Sequence, residues 1–451
     1  MRTLRRLLVA TIAQIAMSSL HAAALADPAL SSALQAIVSD PAKPLTSLSA
    51  LVMRDGQVVF EGHYGQRVVA GGRAGNGIAA DHATLYRMAS ISKLLTTIGA
   101  MRLVDSGQLD LDADIGQYLG YAVRNPQFAD VPITTRMLLT HTSSLRDDGG
   151  YFFPLDTNLK SVLQRATGRA GQGQTWATAD AKADHAPGRY FTYCNLNFGV
   201  VGTVIEAVTR QRFDLYMQKT VLQPLGIAGG FTPETLSPAD IQHVAVLYRK
   251  GRDDIWDPKG PWLPQVDDYQ GKLPSPRAGL DNYVPGSNAT GFGPQGGLRT
   301  SVAGLGVIMQ MLMDHGSAKG VRILSPQAVA AMLQPQWAKN PNQDNGDTLN
   351  GQLHAWGLGM QRFVDASGPS TGDRFVAQGG FTGVGHMGFA YGLESGFIFD
   401  PQTRNGVVYA IGGVSADPDL NRGRYSAYSV WQERTLDALW RSVTTAIRHA
   451  D

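Results

Sequence analysis

Met88-Ala89-Ser90-Ile91-Ser92-Lys93-Leu94-Leu95 opens a segment in which Ile91, Leu94, Leu95, Ile98 and Met101 recur at helical spacing. The pattern predicts a helix with one buried side, stopping at Gly107. Ser90 falls at the helix start, where unpaired backbone N–H groups and the positive end of the dipole favour negative charge. Lys93, three residues on, projects from the same face within reach of the Ser90 hydroxyl. A neighbouring amine whose pKa is lowered by burial is what a serine nucleophile needs to lose its proton. The same residues also fit an N-cap serine beside an exposed lysine, so the surrounding chain has to decide.

Upstream, a short helix is expected over 27–39, then strands over 47–54 and 57–65 turning at Arg54-Asp55-Gly56. A polar, Gly-rich link, 70–81, leads into Leu85-Tyr86-Arg87. Downstream, helical patterns begin at Ile133 with Thr134 as cap and recur over 195–210, 301–313 and 326–333. Three strands follow over 386–390, 392–399 and 406–411, the last pair turning at Asp400-Pro401-Gln402-Thr403, and 425–449 reads as a closing amphipathic helix. Strands at both ends with helices between them predict an α+β fold. Its antiparallel sheet is built from both termini and flanked by helices, with a mostly helical lobe inserted. The expected division is a sheet lobe of about 27–85 and 375–451 and a helical lobe of about 86–374, in one domain of 27–451.

The first 26 residues read as a cleavable signal peptide. Arg2, Arg5 and Arg6 precede the apolar run 7–20, and Ala24-Leu25-Ala26 is a small-x-small cleavage site. The run is short for a bilayer span, and no later stretch suggests one, so export to the periplasm without a stable membrane span is expected. The composition is ordinary for a globular chain, with 43% apolar and 17% charged residues. Lys and Arg total 39 against 37 Asp and Glu, a net +2, and nothing suggests a nucleic-acid partner. The single cysteine, Cys194, excludes an intrachain disulfide and a lipidated N-terminal cysteine.

Two further signals bear on chemistry. Tyr193-Cys194-Asn195 is the only Y-x-N in the chain, and Ser90 to Lys93 the only S-x-x-K. A tyrosine near a buried lysine has its phenol pKa lowered by the positive charge, making it a general base, and Asn195 offers an amide to orient a substrate carbonyl or hydroxyl. A core tyrosine beside a turn asparagine fits equally. His386-Met387-Gly388 lies at a predicted strand edge, where glycine admits close approach of an extended substrate.

Ser90-x-x-Lys93, Tyr193-x-Asn195 and His386-x-Gly388, in that order, resemble the serine β-lactamase and penicillin-binding protein superfamily. Their flanks resemble its class C-type branch of β-lactamase-related serine hydrolases, D-Ala-D-Ala carboxypeptidases and esterases. These flanks are Leu85-Tyr86-Arg87-Met88-Ala89, Met137-Leu138-Leu139-Thr140-His141-Thr142-Ser143-Ser144-Leu145, Ala186-Pro187-Gly188, Gln223-Pro224-Leu225-Gly226, Gln295-Gly296-Gly297-Leu298 and Gly385-His386-Met387-Gly388-Phe389. The resemblance runs from about Leu45 to about Ile411. It implies a β-lactamase/transpeptidase-like fold and an acyl-enzyme on Ser90, with Lys93 and Tyr193 sharing the proton transfers. It implies an oxyanion hole of the backbone N–H groups of Ser90 and Phe389, substrate binding by Asn195, His386 and Gly388, and no metal or organic cofactor. The expected partner is a small-molecule or peptide substrate; oligomeric state is not legible. The first expectation is D-Ala-D-Ala carboxypeptidase or D-aminopeptidase-like hydrolysis, with β-lactamase or carboxylesterase activity as alternatives. A non-catalytic penicillin- or peptidoglycan-binding protein is the alternative of another class.

Three departures stand out. His386 occupies a position where true β-lactamases mostly carry lysine, and an imidazole is largely neutral at pH 7, which favours the peptidase and esterase relatives. Cys194 stands where serine is usual, as a packing substitution or a reactive thiol. Ser144 replaces a common glycine. The Pro-, Gly-, Asp- and Trp-rich stretch 251–290 reads either as a lid whose acids select a cationic substrate or as a solvated loop with aromatic anchors.

Overall fold

The computed structural model describes residues 27–71, 76–165, 174–180, 183–252 and 255–445, so the predicted signal peptide lies outside the described residues. Helix α1, Pro28–Val38, is capped by the Asp27 carboxylate, which accepts from Leu30 N at 2.9 Å. Strands β1, Ser47–Arg54, and β2, Gln57–Val68, are joined at Asp55-Gly56, whose φ values of 47° and 72° are those of a tight hairpin turn. A short β3, Ile78–Ala79, pairs with the end of β2.

The chain then enters its helical part through α2, Ser92–Asp105, α3, Leu196–Thr209, and α4, Val302–Met313. It returns to the sheet through β4, Trp337–Ala338, β5, Ala355–Trp356, and β6, Gln361–Phe363. Strands β7, Gly383–Ala390, β8, Leu393–Asp400, and β9, Asn405–Ile411, lead into the closing helix α5, Val430–Thr445. The resulting sheet has the order β4-β5-β6-β7-β8-β9-β1-β2-β3. The N-terminal hairpin joins the C-terminal meander where β1 pairs antiparallel with β9, Leu51 opposite Val408. The α+β architecture with a sheet drawn from both ends is thus present. Its far edge, β4 to β6, comes from 337–363.

Alternation along β1 explains why the central strands are buried on both faces. Leu48, Ala50 and Val52 join the core beneath the terminal helices, with Leu436, Leu439 and Trp440 of α5. Leu51 and Met53 face the other core, with α2, α3 and α4. Gly306 of α4 lies so close that an added Cβ would meet Leu51 Cδ1 at 3.0 Å.

Helix α2 is buried on nearly all sides rather than along one stripe. Its polar residues are reconciled with burial locally: Thr96 Oγ1 donates to Pro294 O at 2.7 Å and Thr97 Oγ1 to Lys93 O at 2.8 Å. Among the described residues no helix is long and apolar enough to cross a membrane.

Candidate active site

A single 3-10 turn, Ala89–Ile91, precedes α2 and carries Ser90. Ala89 has φ 47°, a left-handed conformation costing a non-glycine residue about 1–2 kcal/mol, so the turn is held by its surroundings. Ser92 Oγ donates to Ala89 O at 2.6 Å and accepts from Leu298 N at 3.0 Å. Ser395 Oγ on β8 donates to Met88 O at 3.2 Å, seating the turn against the sheet.

Lys93 is fully buried, which rejects the exposed-lysine alternative. Its Nζ lies 3.0 Å from Ser90 Oγ, 2.7 Å from Asn195 Oδ1 and 2.8 Å from Gln295 O. The last two atoms are acceptors only, so an uncharged amine must spend its two N–H bonds on them. Its lone pair then faces the Ser90 hydroxyl. Burial lowers the Lys93 pKa from 10.5 to about 7, against an opposing pull from the Asp147 charge.

Tyr193 departs from the expectation of a lowered phenol pKa. Burial pushes it well above the usual tyrosine range, and a hydrogen-bonding interaction with Ser90 opposes that only in part. Lys93 Nζ sits 5.0 Å from the Tyr193 ring centroid, over its face, so proximity to the amine does not supply the expected lowering. Tyr193 is therefore a protonated phenol at neutral pH. His141 stacks on it at 4.5 Å and accepts from Cys194 N through Nδ1 at 3.1 Å. Burial, with Lys93 and His386 nearby, keeps His141 neutral.

Asn195 is spoken for on both sides: its Oδ1 accepts from Lys93, and its Nδ2 donates to Asp147 Oδ2 at 2.8 Å. Asp147 also accepts from Asn195 N at 2.8 Å, Leu196 N at 2.9 Å and Cys194 Sγ at 3.2 Å. A carboxylate thus closes the N-terminus of α3 and fixes the second motif at once. Nothing in the sequence marked Asp147: it follows a recognisable motif inside a polar turn and looks like any solvated acid. Gln295 contributes a backbone carbonyl, which side-chain reasoning does not see. Cys194 is buried and its thiol pKa is raised well above normal by burial and Asp147, so it is a neutral donor, as serine would be.

His386 lies on β7 and is 3% exposed. Its Nδ1 donates to Met387 O at 2.6 Å, leaving Nε2 as a buried acceptor without a protein partner. Burial, then the Lys93 charge, lower its pKa to about 3, so it carries no charge for a substrate carboxylate. At Gly388 an added Cβ would meet Met88 O at 2.6 Å; only glycine lets β7 pass this close to the turn that carries Ser90. Phe389 follows at the cleft wall, 44% exposed. Ser144 holds φ 67°, which explains the preference for glycine there, and accepts from Asn125 Nδ2 at 3.1 Å.

Ser90, Tyr193, Asn195, His386 and Phe389 all line one cleft of about 890 Å³. The 251–290 stretch reaches this cleft through Arg277, not through an acid. Its Asp267 is buried in an ion pair with Arg299 at 2.6 Å, and Asp253 and Asp254 lie outside the described residues. Trp256, Tyr269 and Tyr283 pack against separate apolar clusters, as anchors do. The charged cleft lining comprises Arg87, Arg249, Arg277 and Arg299 against Asp147.

Residues 34–429 match the family model described as Beta-lactamase. Penicillin-binding protein 4 of Amycolatopsis lactamdurans is 27% identical over 263 residues, which are 58% of this chain and 59% of that protein. The chain therefore spans under two thirds of that relative's length. The D-amino acid amidase from Ochrobactrum anthropi SV3, complexed with D-phenylalanine, superposes with TM-score 0.59 over 94% of this chain and 99% of its own, at 19% identity. A class C beta-lactamase gives TM-score 0.60 over 92% and 96%, at 16% identity. These two likenesses are of fold.

Proposed function

The chain belongs to the Beta-lactamase family, and from that premise we propose that it is an exported serine hydrolase that cleaves amide bonds through a Ser90 acyl-enzyme. Its first activity is D-Ala-D-Ala carboxypeptidase or D-aminopeptidase-like hydrolysis of a small peptide or amide, carried out after the N-terminal segment directs the chain to the periplasm. The observation that carries this reading is the orientation of Lys93, whose lone pair is aimed at Ser90 Oγ by its two backbone and side-chain acceptors.

In acylation, Ser90 Oγ bonds to the carbonyl carbon as its proton passes to Lys93 Nζ. The oxygen that gains charge is met by the backbone N–H groups of Ser90 and Phe389. The C–N bond breaks as Tyr193, a phenol rather than a phenolate, gives its proton to the departing nitrogen, and the proton on Lys93 restores the phenol. Water then cleaves the acyl-Ser90 ester. An amine is a poor leaving group without a proton donor, so a retained phenol supports amide hydrolysis over hydrolysis of activated esters. With His386 neutral, Arg277 paired to Glu234 and Arg299 paired to Asp267, Arg87, whose Nε donates to Gly296 O, is the cleft cation that supports a carboxylate-bearing peptide.

Intact-mass measurement after a fluorophosphonate and, separately, after a penicillin tests the reading. One adduct from each is expected, the second long-lived, and neither in Ser90→Ala. Tyr193→Phe should lower amide turnover by about 10²–10⁴ while sparing acylation by an activated aryl ester, whose leaving group departs as an anion. An adduct that persists in Ser90→Ala places the nucleophile elsewhere, and equal losses on amide and aryl ester remove Tyr193 as the leaving-group acid. A penicillin turned over without a lasting adduct makes the activity β-lactamase-like.

A further inference from the structure

Away from the cleft, strand β2 places Glu61 and His63 two residues apart, on one face. The chain beyond β3 brings His82 to the same spot. Glu61 Oε1 lies 3.0 Å from His63 Nε2 and 2.6 Å from His82 Nδ1, and the three candidate donor atoms all fall within 4.8 Å of one another. Two ring nitrogens converging on one carboxylate oxygen is more donor density than a surface ion pair needs. Side-chain exposure is 15% for both Glu61 and His63 and 74% for His82, so the trio is walled on one side and open on the other.

We infer that Glu61, His63 and His82 form a Zn²⁺ site, with water completing the coordination on the open side. Two imidazoles and a carboxylate are an ordinary ligand set for zinc. With metal–ligand bonds of about 2.0–2.1 Å, tetrahedral ligand atoms lie about 3.3 Å apart. The two contacts to Glu61 need to lengthen by less than about 1 Å to reach that spacing.

The surroundings suit a bound cation. His63 Nδ1 is 2.9 Å from Ser49 Oγ, which is 3.2 Å from the Tyr86 hydroxyl, which in turn donates to Ser47 Oγ at 3.2 Å. All three hydroxyl residues are buried. A proton on Nδ1 donated into this chain leaves the Nε2 lone pair facing the metal, the outer support that a ligating histidine requires. Tyr86 immediately precedes Arg87 in the strand that delivers the nucleophile turn. The metal would brace β2 against the approach to Ser90 rather than take part in the reaction.

The test uses the full chain, freed of metal by chelator and titrated with Zn²⁺ alone, followed by calorimetry and by melting temperature. One Zn²⁺ per chain is expected, with a melting shift of about 3 °C when free Zn²⁺ is 100 times Kd. Glu61→Gln and His82→Ala should each weaken binding by at least about tenfold and abolish the shift. His82→Ala removes an exposed side chain, so loss of binding there is not a folding failure. No stoichiometric binding by the wild type at tens of micromolar Zn²⁺ overturns the site. Wild-type affinity in both variants overturns it as well, because the ion is then held elsewhere.

Discussion

On the proposed mechanism, the burial of Lys93 sets the pH at which Ser90 becomes reactive. An ordinary lysine with pKa 10.5 is uncharged in about one molecule in 3,000 at pH 7. With the pKa at about 7, half of the molecules carry the free amine, roughly a 10³-fold gain in competent base. The competent fraction is about one tenth at pH 6 and about nine tenths at pH 8, so phosphonylation of Ser90 should rise about tenfold across that interval and then level off. Stopped-time intact-mass measurement with a fluorophosphonate reads this directly. Lys93→Met keeps the stem and removes the amine; it should react about 10²–10⁴-fold more slowly, with no inflection between pH 6 and 8. The neighbouring groups cannot mimic the effect, since His141 and His386 have pKa values pushed far below this window and Tyr193 one pushed above it. Glu206 titrates at about 7, but it is occupied in holding Phe213 N and Gly286 N away from the cleft, so Glu206→Gln should keep the inflection. A flat wild-type profile, or an inflection that survives in Lys93→Met, refutes Lys93 as the base.

Asp147→Asn should move the same inflection to lower pH, by about one pH unit, because the charge that holds the Lys93 pKa up is gone; an unmoved inflection breaks that link. Gly388→Ala would drive a methyl group into the Met88 carbonyl and should cost about 1–3 kcal/mol of stability while slowing Ser90 labelling, and unchanged melting and labelling would show that β7 is not fitted to the nucleophile turn. Glu394, 1% exposed on β8, has its pKa raised by burial to about 8. The folded state therefore holds a proton that the unfolded chain releases above about 4.5, and the stability this supplies is lost as pH rises from about 4.5 through 8. Glu394→Gln should gain on the wild type between pH 5 and 9, by as much as roughly 5 kcal/mol, in urea midpoints; parallel pH dependences would refute a protonated Glu394.

The residues that were legible in advance are those whose chemistry is written in the side chain at short spacing. Ser90 and Lys93 share a helix face, so three residues of sequence separation already bound their distance, and the Asp55-Gly56 turn announces its hairpin through the conformation it demands. The sheet could be anticipated from its two ends because β1 and β9 each carry an apolar run, 50–53 and 407–411, whereas β4 to β6 are too short to carry a period. What stayed hidden is what depends on burial and on the backbone. Tyr193 illustrates the difference: beside a lysine, sequence reasoning weighs the charge and lowers the phenol pKa, but desolvation inside the fold is the larger effect and reverses the sign. The same desolvation acts on Lys93 in the opposite sense, because its ionised form is the protonated one. One dry environment therefore leaves the amine ready to accept a proton and the phenol ready to give one, and that division of labour follows from burial rather than from the identity of either residue. Asp147 then sets how far it goes, since moving a single carboxylate at the head of α3 changes the Lys93 amine without touching Ser90.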